Sequence, residues 1–186
     1  MKKKFTLVQI VYIGVMAALV CAVTFFRFPL LGSKVHFANA MCLLSGLLMG
    51  PSAGALAAGL GSALYDALFG GYGLLDCAVT FVTKAAMAWI CAKIAFSGSR
   101  EAKNHSRNVA ACVIGALSYV CLYMFKTFLF QKFLYGFPAE TVWATMLSKL
   151  PASATNALAA MIVAPIFYTA LSNALERAGL LRKLRA

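Results

Sequence analysis

The sequence predicts an all-α integral membrane protein with six transmembrane helices, and three observations carry that expectation. The 186 residues are 62% hydrophobic and 12% charged, with a mean hydropathy of +0.84. A soluble domain carries roughly a quarter charged residues, so there is too little polar surface here to cover a water-facing globule. The apolar runs approach or exceed the ~20 residues that a helix needs to cross ~30 Å of hydrocarbon. The period-2 alternation of a membrane barrel is missing, which leaves helices as the spanning element, because backbone groups in lipid must be satisfied within the protein.

The spans follow in order along one domain, residues 1–186. Phe5–Phe26 is the first, led by "MKKK" and ended by "RFP". Its apolar run exceeds that of a secretory signal and no convincing small-residue cleavage site precedes Arg27, so it reads as a retained helix. Val35–Met49 is a short second span, closed by Gly50-Pro51, and Ser52–Phe69 is the third, followed by "GGYG". Gly50-Pro51 is the sole break between these two, a strong helix punctuation. Leu75–Phe96 is the fourth, and "SGSREAKNHSR" separates it from the fifth, Asn108–Phe130. After "QKFLYGFPAE" comes Thr141–Ala174, long enough to be tilted or kinked near Pro151.

Basic residues orient the bundle. With a cytoplasmic N-terminus and six alternating spans, the inside holds Lys2, Lys3, Lys4, Lys93, Arg100, Lys103, Arg107, Arg177, Arg182, Lys183 and Arg185. The outside holds Arg27, Lys34 and Lys132. Eleven against three is a clear positive-inside bias and places both termini in the cytoplasm. The net charge of +12 is therefore a topology signal. Nucleic-acid binding would need a basic face on a soluble domain, and none is foreseen.

Several chemistries have no support. The cysteines (Cys21, Cys42, Cys77, Cys91, Cys112, Cys121) form no CxxC pair and sit near no histidine at a metal-ligand spacing. His36 and His105 lack carboxylate company, so neither a metal nor another cofactor is expected. The chain has no Walker-type phosphate loop, no GxSxG and no HExxH, and it is read as a non-enzyme.

The informative residues are polar ones inside the spans, where ionisable groups are costly and face a cavity or a partner. Asn39 and Asp66 each lie about one turn from the outer end of a span. Asp76, Thr80 and Lys84 recur every four residues on one face of span four. Tyr119, Tyr123 and Lys126 share a face of span five, and Lys149, Ser153 and Asn156 share one in the outer half of span six. Singly, each has a plain structural alternative: Lys126 snorkels to the interface, Asp76 is a loop residue, Asp66 pairs with Lys84. Lys84 is too deep to snorkel. Jointly these residues predict a polar pocket open to the extracellular side, capped by the outer loops.

Small residues carry a second message. Span three bears Gly54, Ala58 and Ser62 on one stripe and Ala55, Gly59, Ala63 and Ala67 on another, so other helices should surround it closely. Gly14, Ala18 and Ala22 form a stripe on span one that either packs inside the bundle or receives another protein.

The run "LLSGLLMGPSAGALAAGLGSALYDALFGGYGLLDCAVTFVTKA" resembles the S-components, the substrate-capture subunits, of energy-coupling factor (ECF) vitamin transporters, and within them the riboflavin-transporter-like group. The matching positions are Gly50, Pro51, Gly54, Gly59, Gly61, Asp66 and Lys84, within residues 36–88, while Ala18 and Ala22 match the family's docking surface for its coupling subunit. The resemblance implies an S-component-like bundle in a bacterial plasma membrane. It implies capture of a vitamin or precursor from outside, then association with a transmembrane coupling subunit and two ATPase subunits that hydrolyse ATP, with toppling of the bundle carrying the ligand inward.

The pocket residues Lys84, Lys126 and Lys149 against Asp66 and Asp76 are mildly cationic, with Phe37, Tyr72, Tyr119 and Tyr123 available to stack on a planar ring. A pyridoxine-like or pyrimidine compound is the favoured ligand, with riboflavin next. A self-sufficient proton-coupled carrier and a membrane scaffold without a small ligand are the alternatives.

Overall fold

The computed structural model describes residues 5–30, 33–98 and 101–185. Lys2, Lys3, Lys4 and Arg100 of the charge count lie outside them.

Helix α1, Leu7–Phe25, starts on a capping box between Thr6 and Gln9, which satisfies two backbone donors that a helix start leaves open. Ile13, Met16, Ala17 and Val20 form its buried face. The chain then makes a small antiparallel hairpin of β1, Arg27–Leu30, and β2, Ser33–His36, in the register Arg27↔His36 to Leu30↔Ser33. No strand was foreseen. Four-residue strands are too short to show a period, and Pro29 reads as a breaker although an edge strand tolerates it. The hairpin also takes Val35 and His36 out of the expected second span.

Helix α2, Ala38–Tyr65, consists of two helical halves joined at a kink. Gly50 has φ 80° and ψ −177°, outside the helical region and open to glycine. Ser45 Oγ donates to the Gly54 carbonyl at 2.9 Å, and Cys42 Sγ lies 3.7 Å from Ser62 Oγ. In a straight helix a separation of twenty residues is about 30 Å. Residues 38–49 and 51–65 therefore fold back on each other as a helical hairpin. Among the described residues five helices are long and apolar enough to cross a membrane, and the fold-back of α2 turns five helices into six crossing segments.

A π-helical turn, Asp66–Gly70, follows, ending at Gly71 in the left-handed region (φ 67°). Helix α3 is Leu74–Ala95. Helix α4, His105–Leu129, is capped by Asn104 and runs into a second π-helical turn, Phe130–Leu134. Helix α5, Ala139–Arg177, extends beyond Ala174 and passes Pro151 and Pro165 without a non-helical residue. At 1.5 Å per residue it is about 58 Å long. Helix α6, Leu181–Arg185, closes the chain and buries Leu184.

The core is assembled through close backbone approaches. A Cβ on Gly46 would lie 2.6 Å from the Ala88 carbonyl oxygen, and one on Gly61 would strike α1 at Ala17 and Val20. Around these contacts Leu43, Leu44, Leu47 and Met87 are fully buried. Small residues thus let helices associate by dispersion where lipid offers no hydrophobic drive.

One end of the bundle collects both ends of the described chain. Gln9 Nε2 donates to the Leu184 carbonyl at 3.3 Å. Arg185 donates to the carbonyls of Leu47, Leu48 and Glu101 and to the Tyr168 hydroxyl. Two of those carbonyls end the first half of α2, where a helix leaves acceptors open. The β hairpin and both π-helical turns lie at the opposite end.

Candidate functional site

At that opposite end the elements enclose a cavity of about 540 Å³, within the ~300–1,000 Å³ usual for small-molecule sites. Asp66, Asp76, Thr80, Lys84, Tyr123, Lys126, Lys149 and Asn156 all line it, so helices that are remote in sequence bring the expected residues together. Asn39 does not line it and is 1% exposed.

Helix α3 supplies the floor and one wall. Lys84, halfway along α3 and 4% exposed, donates from Nζ to Asn39 Oδ1 and lies 3.8 Å from the centroid of the Tyr119 ring. A buried ammonium thus gains one amide acceptor and a π face, which offsets part of its desolvation. Asn39 is the residue that holds it. Lys84 does not pair with Asp66 among the described ion pairs; the Asp66 carboxylate faces Thr80 instead.

Nearer the mouth, Lys126 of α4 donates to Asp76 Oδ1 at 2.6 Å, with both side chains 22% exposed. Tyr119 and Tyr123, one turn apart on α4, stack with their centroids 6.1 Å apart. Lys149 and Ser153 line the wall that α5 contributes. Asn156, one turn deeper, has its amide committed: its oxygen accepts the His36 backbone N–H at 2.7 Å and its nitrogen donates to the Lys34 carbonyl at 2.9 Å. It fastens β2 against α5.

Through that fastening the hairpin brings Arg27, Lys34 and His36 to the cavity, three residues that the sequence reading left out of the site. Burial lowers the His36 imidazole pKa to about 3, with the charge of Lys84 the next cause and those of Arg27 and Lys34 smaller ones. The ring is neutral at physiological pH. Gln131, in the second π-helical turn, also lines the cavity and was not foreseen. The signal for Arg27, Lys34 and Gln131 was their position in loops beside apolar spans, which does not say whether a loop folds inward; His36 was read as the start of the second span.

Among the described residues, four buried side-chain polar atoms have no hydrogen-bond partner: His36 Nδ1, Gln131 Oε1, Ser153 Oγ and Asn108 Oδ1. The first three belong to cavity-lining residues. Buried polar groups are nearly always satisfied. Three open positions in one concavity give it hydrogen-bonding capacity that the protein itself leaves unfilled.

Phe37 lies outside the cavity wall, whereas Tyr72 is part of it. Gly14, Ala18 and Ala22 are exposed on α1, away from the face that carries Ile13, Met16, Ala17 and Val20. No atom approaches within 4 Å of a Cβ placed on Gly14. The stripe does not pack inside the bundle.

The family model of the ECF-type riboflavin transporter, S component, matches residues 4–173. The chain belongs to this family. The solved S component of a bacterial ECF transporter has the same fold, with a TM-score of 0.68 over 90% of this chain and 96% of that one at 19% identity. No curated protein matches the chain. As an S component it is the substrate-capture subunit of an ECF transporter, a multi-pass membrane protein of vitamin uptake, and a transport subunit in place of an enzyme.

Proposed function

We propose that this S component captures a vitamin or vitamin precursor from the extracellular side of a bacterial plasma membrane. It then delivers the ligand by docking on a transmembrane coupling subunit served by two ATPase subunits, where ATP is hydrolysed. The observation that carries this reading is the polar cavity at the end of the bundle opposite both chain ends, with three open hydrogen-bonding positions beside a stacked tyrosine pair. The excess of basic residues in the sequence segments flanking the spans on the side of the chain ends supports a cytoplasmic location for that end and an extracellular cavity.

The stacked tyrosines suit a planar ring, and the orphan His36, Gln131 and Ser153 atoms suit hydroxyl or ring-nitrogen substituents. A pyridoxine-like or pyrimidine compound fits this chemistry best, and riboflavin is next. Asp66, Asp76, Thr80, Lys84, Tyr123, Lys126 and Lys149 form the binding wall, with Asn39 and Asn156 holding Lys84 and β2 in place. Gly14, Ala18 and Ala22 are the docking stripe.

Gentle purification followed by mass spectrometry of the bound small molecule tests this reading. A planar, hydroxyl-bearing compound in stoichiometric amount is expected, with uptake that requires the ATPases. Uptake without them would make the protein a carrier, and a protein free of small molecules would make it a scaffold.

A further inference from the structure

We propose that the captured compound carries an anionic group, a carboxylate or a phosphate, seated on Lys149 and Ser153. This rests on the capture reading and narrows its ligand class.

The cavity is unbalanced in charge. Five cationic side chains line it (Arg27, Lys34, Lys84, Lys126 and Lys149) against the two carboxylates of Asp66 and Asp76. Asp76 is taken by Lys126. Lys84 is held by Asn39 and the Tyr119 ring. Lys149 has no such arrangement. Among the described residues no carboxylate forms an ion pair with it, and the charges that act on it are Lys126, which repels it, and Asp76, which is already engaged.

Lys149 and Ser153 are one helical turn apart on α5 and line the same wall. Ser153 is 5% exposed and its Oγ has no partner. An ammonium that donates only, next to a hydroxyl free to donate, is a donor pair with no acceptor supplied by the protein. A carboxylate or phosphate oxygen fits between them and brings the negative charge that the cavity lacks, and hydrogen bonds of this kind are the strong ones. A neutral hydroxyl would satisfy Ser153 and leave the excess positive charge in place. His36 Nδ1 and Gln131 Oε1, on other elements, remain for the uncharged part of the ligand.

The test starts from the compound extracted from purified wild-type protein, its net charge at pH 7 read by electrophoretic mobility and its mass by spectrometry. The compound is then titrated back onto wild type, Lys149→Gln, Lys149→Arg and Lys132→Gln in lipid nanodiscs, with size-exclusion profiles to check folding. An anionic compound is expected, bound at least tenfold more weakly by Lys149→Gln, within about threefold of wild type by Lys149→Arg, and unchanged by Lys132→Gln, an exposed cation outside the cavity wall. A neutral or cationic compound overturns the charge proposal and leaves capture standing. So does an anionic compound whose affinity Lys149→Gln does not change. Equal loss in Lys132→Gln overturns it as well, since general surface charge would then explain the binding. Wild-type protein that yields no compound removes the capture reading and this proposal with it.

Discussion

Asn156 holds His36 in place: its side-chain oxygen accepts the His36 backbone N–H at 2.7 Å across 120 residues of sequence. The second half of the same amide reaches the Lys34 carbonyl at 2.9 Å. Two bonds from one 7%-exposed side chain therefore tie the hairpin over the cavity to the longest helix. Replacing Asn156 with Ala takes the side-chain partner from a part-buried N–H and a carbonyl of β2, at a cost of about 0.5–1.5 kcal/mol for each bond. The Asn156→Ala variant is expected to lose thermal stability and to bind ligand about ten- to a hundred-fold more weakly. Amide hydrogen exchange should speed up in residues 33–36, with little change in α3. Weakened binding without faster exchange there would make Asn156 a direct ligand contact.

Lys84 should behave differently. Its ammonium is at the cavity floor, so Lys84→Ala removes a charge-assisted donor worth about 1.5–3 kcal/mol to a ligand, a roughly ten- to hundred-fold loss of affinity. The protein should still insert and purify as a folded bundle, because the Asn39 oxygen left behind is a single acceptor. Calorimetric titration of wild type and variant checks the ratio, and unchanged affinity would reduce Lys84 to a structural contact.

The neutral His36 sets a pH dependence. Its folded pKa of about 3 lies below the ordinary 6.5, so between those values the unfolded chain binds a proton that the folded chain refuses. Stability should therefore be full above about pH 6.5 and fall as the pH is lowered toward about 3. Thermal melts across that window should show the decline in wild type and a flatter profile in His36→Gln. An identical slope in both would assign the acid sensitivity to other groups.

The exposed stripe on α1 separates capture from delivery. Ala18→Trp or Ala22→Trp fills the shallow groove beside which a partner helix would lie, at positions that do not line the cavity. Ligand affinity of the isolated protein should stay within about twofold, while ATP-dependent uptake with the coupling and ATPase subunits is lost. Measuring both on the same variant decides: uptake that survives moves the docking surface elsewhere.

Orientation has a direct check. The contact of Gln9 with Leu184 places the two ends of the described chain at one face of the bundle, and the proposed function requires that face to be cytoplasmic. Single-cysteine labelling in a background free of native cysteines should protect Ser97 and Arg182 from an impermeant reagent and expose Tyr135. The reverse pattern would turn the cavity inward and overturn capture from outside.

What the sequence determined by itself is the part set by periodicity and composition. Hydrophobicity over whole spans named the solvent, and the four-residue spacing of Asp76, Thr80 and Lys84 put them on one helix face before any coordinates. Gly50-Pro51 marked the reversal, since glycine admits a positive φ that ends one helix and proline is favoured in the first turn of the next. The tertiary structure decided which polar atoms meet and which remain open. Asn39 and Asn156 look like ligand contacts in one dimension, and their oxygens are engaged by Lys84 and by β2. Arg27 and Lys34 look like outer-loop residues and His36 like the start of a span, and the hairpin brings all three to the cavity. The reason is physical: periodicity records the face that a side chain occupies on its own element, whereas a hydrogen-bond partner is fixed by how separate elements pack, here across 45 residues for Lys84 and 120 for His36.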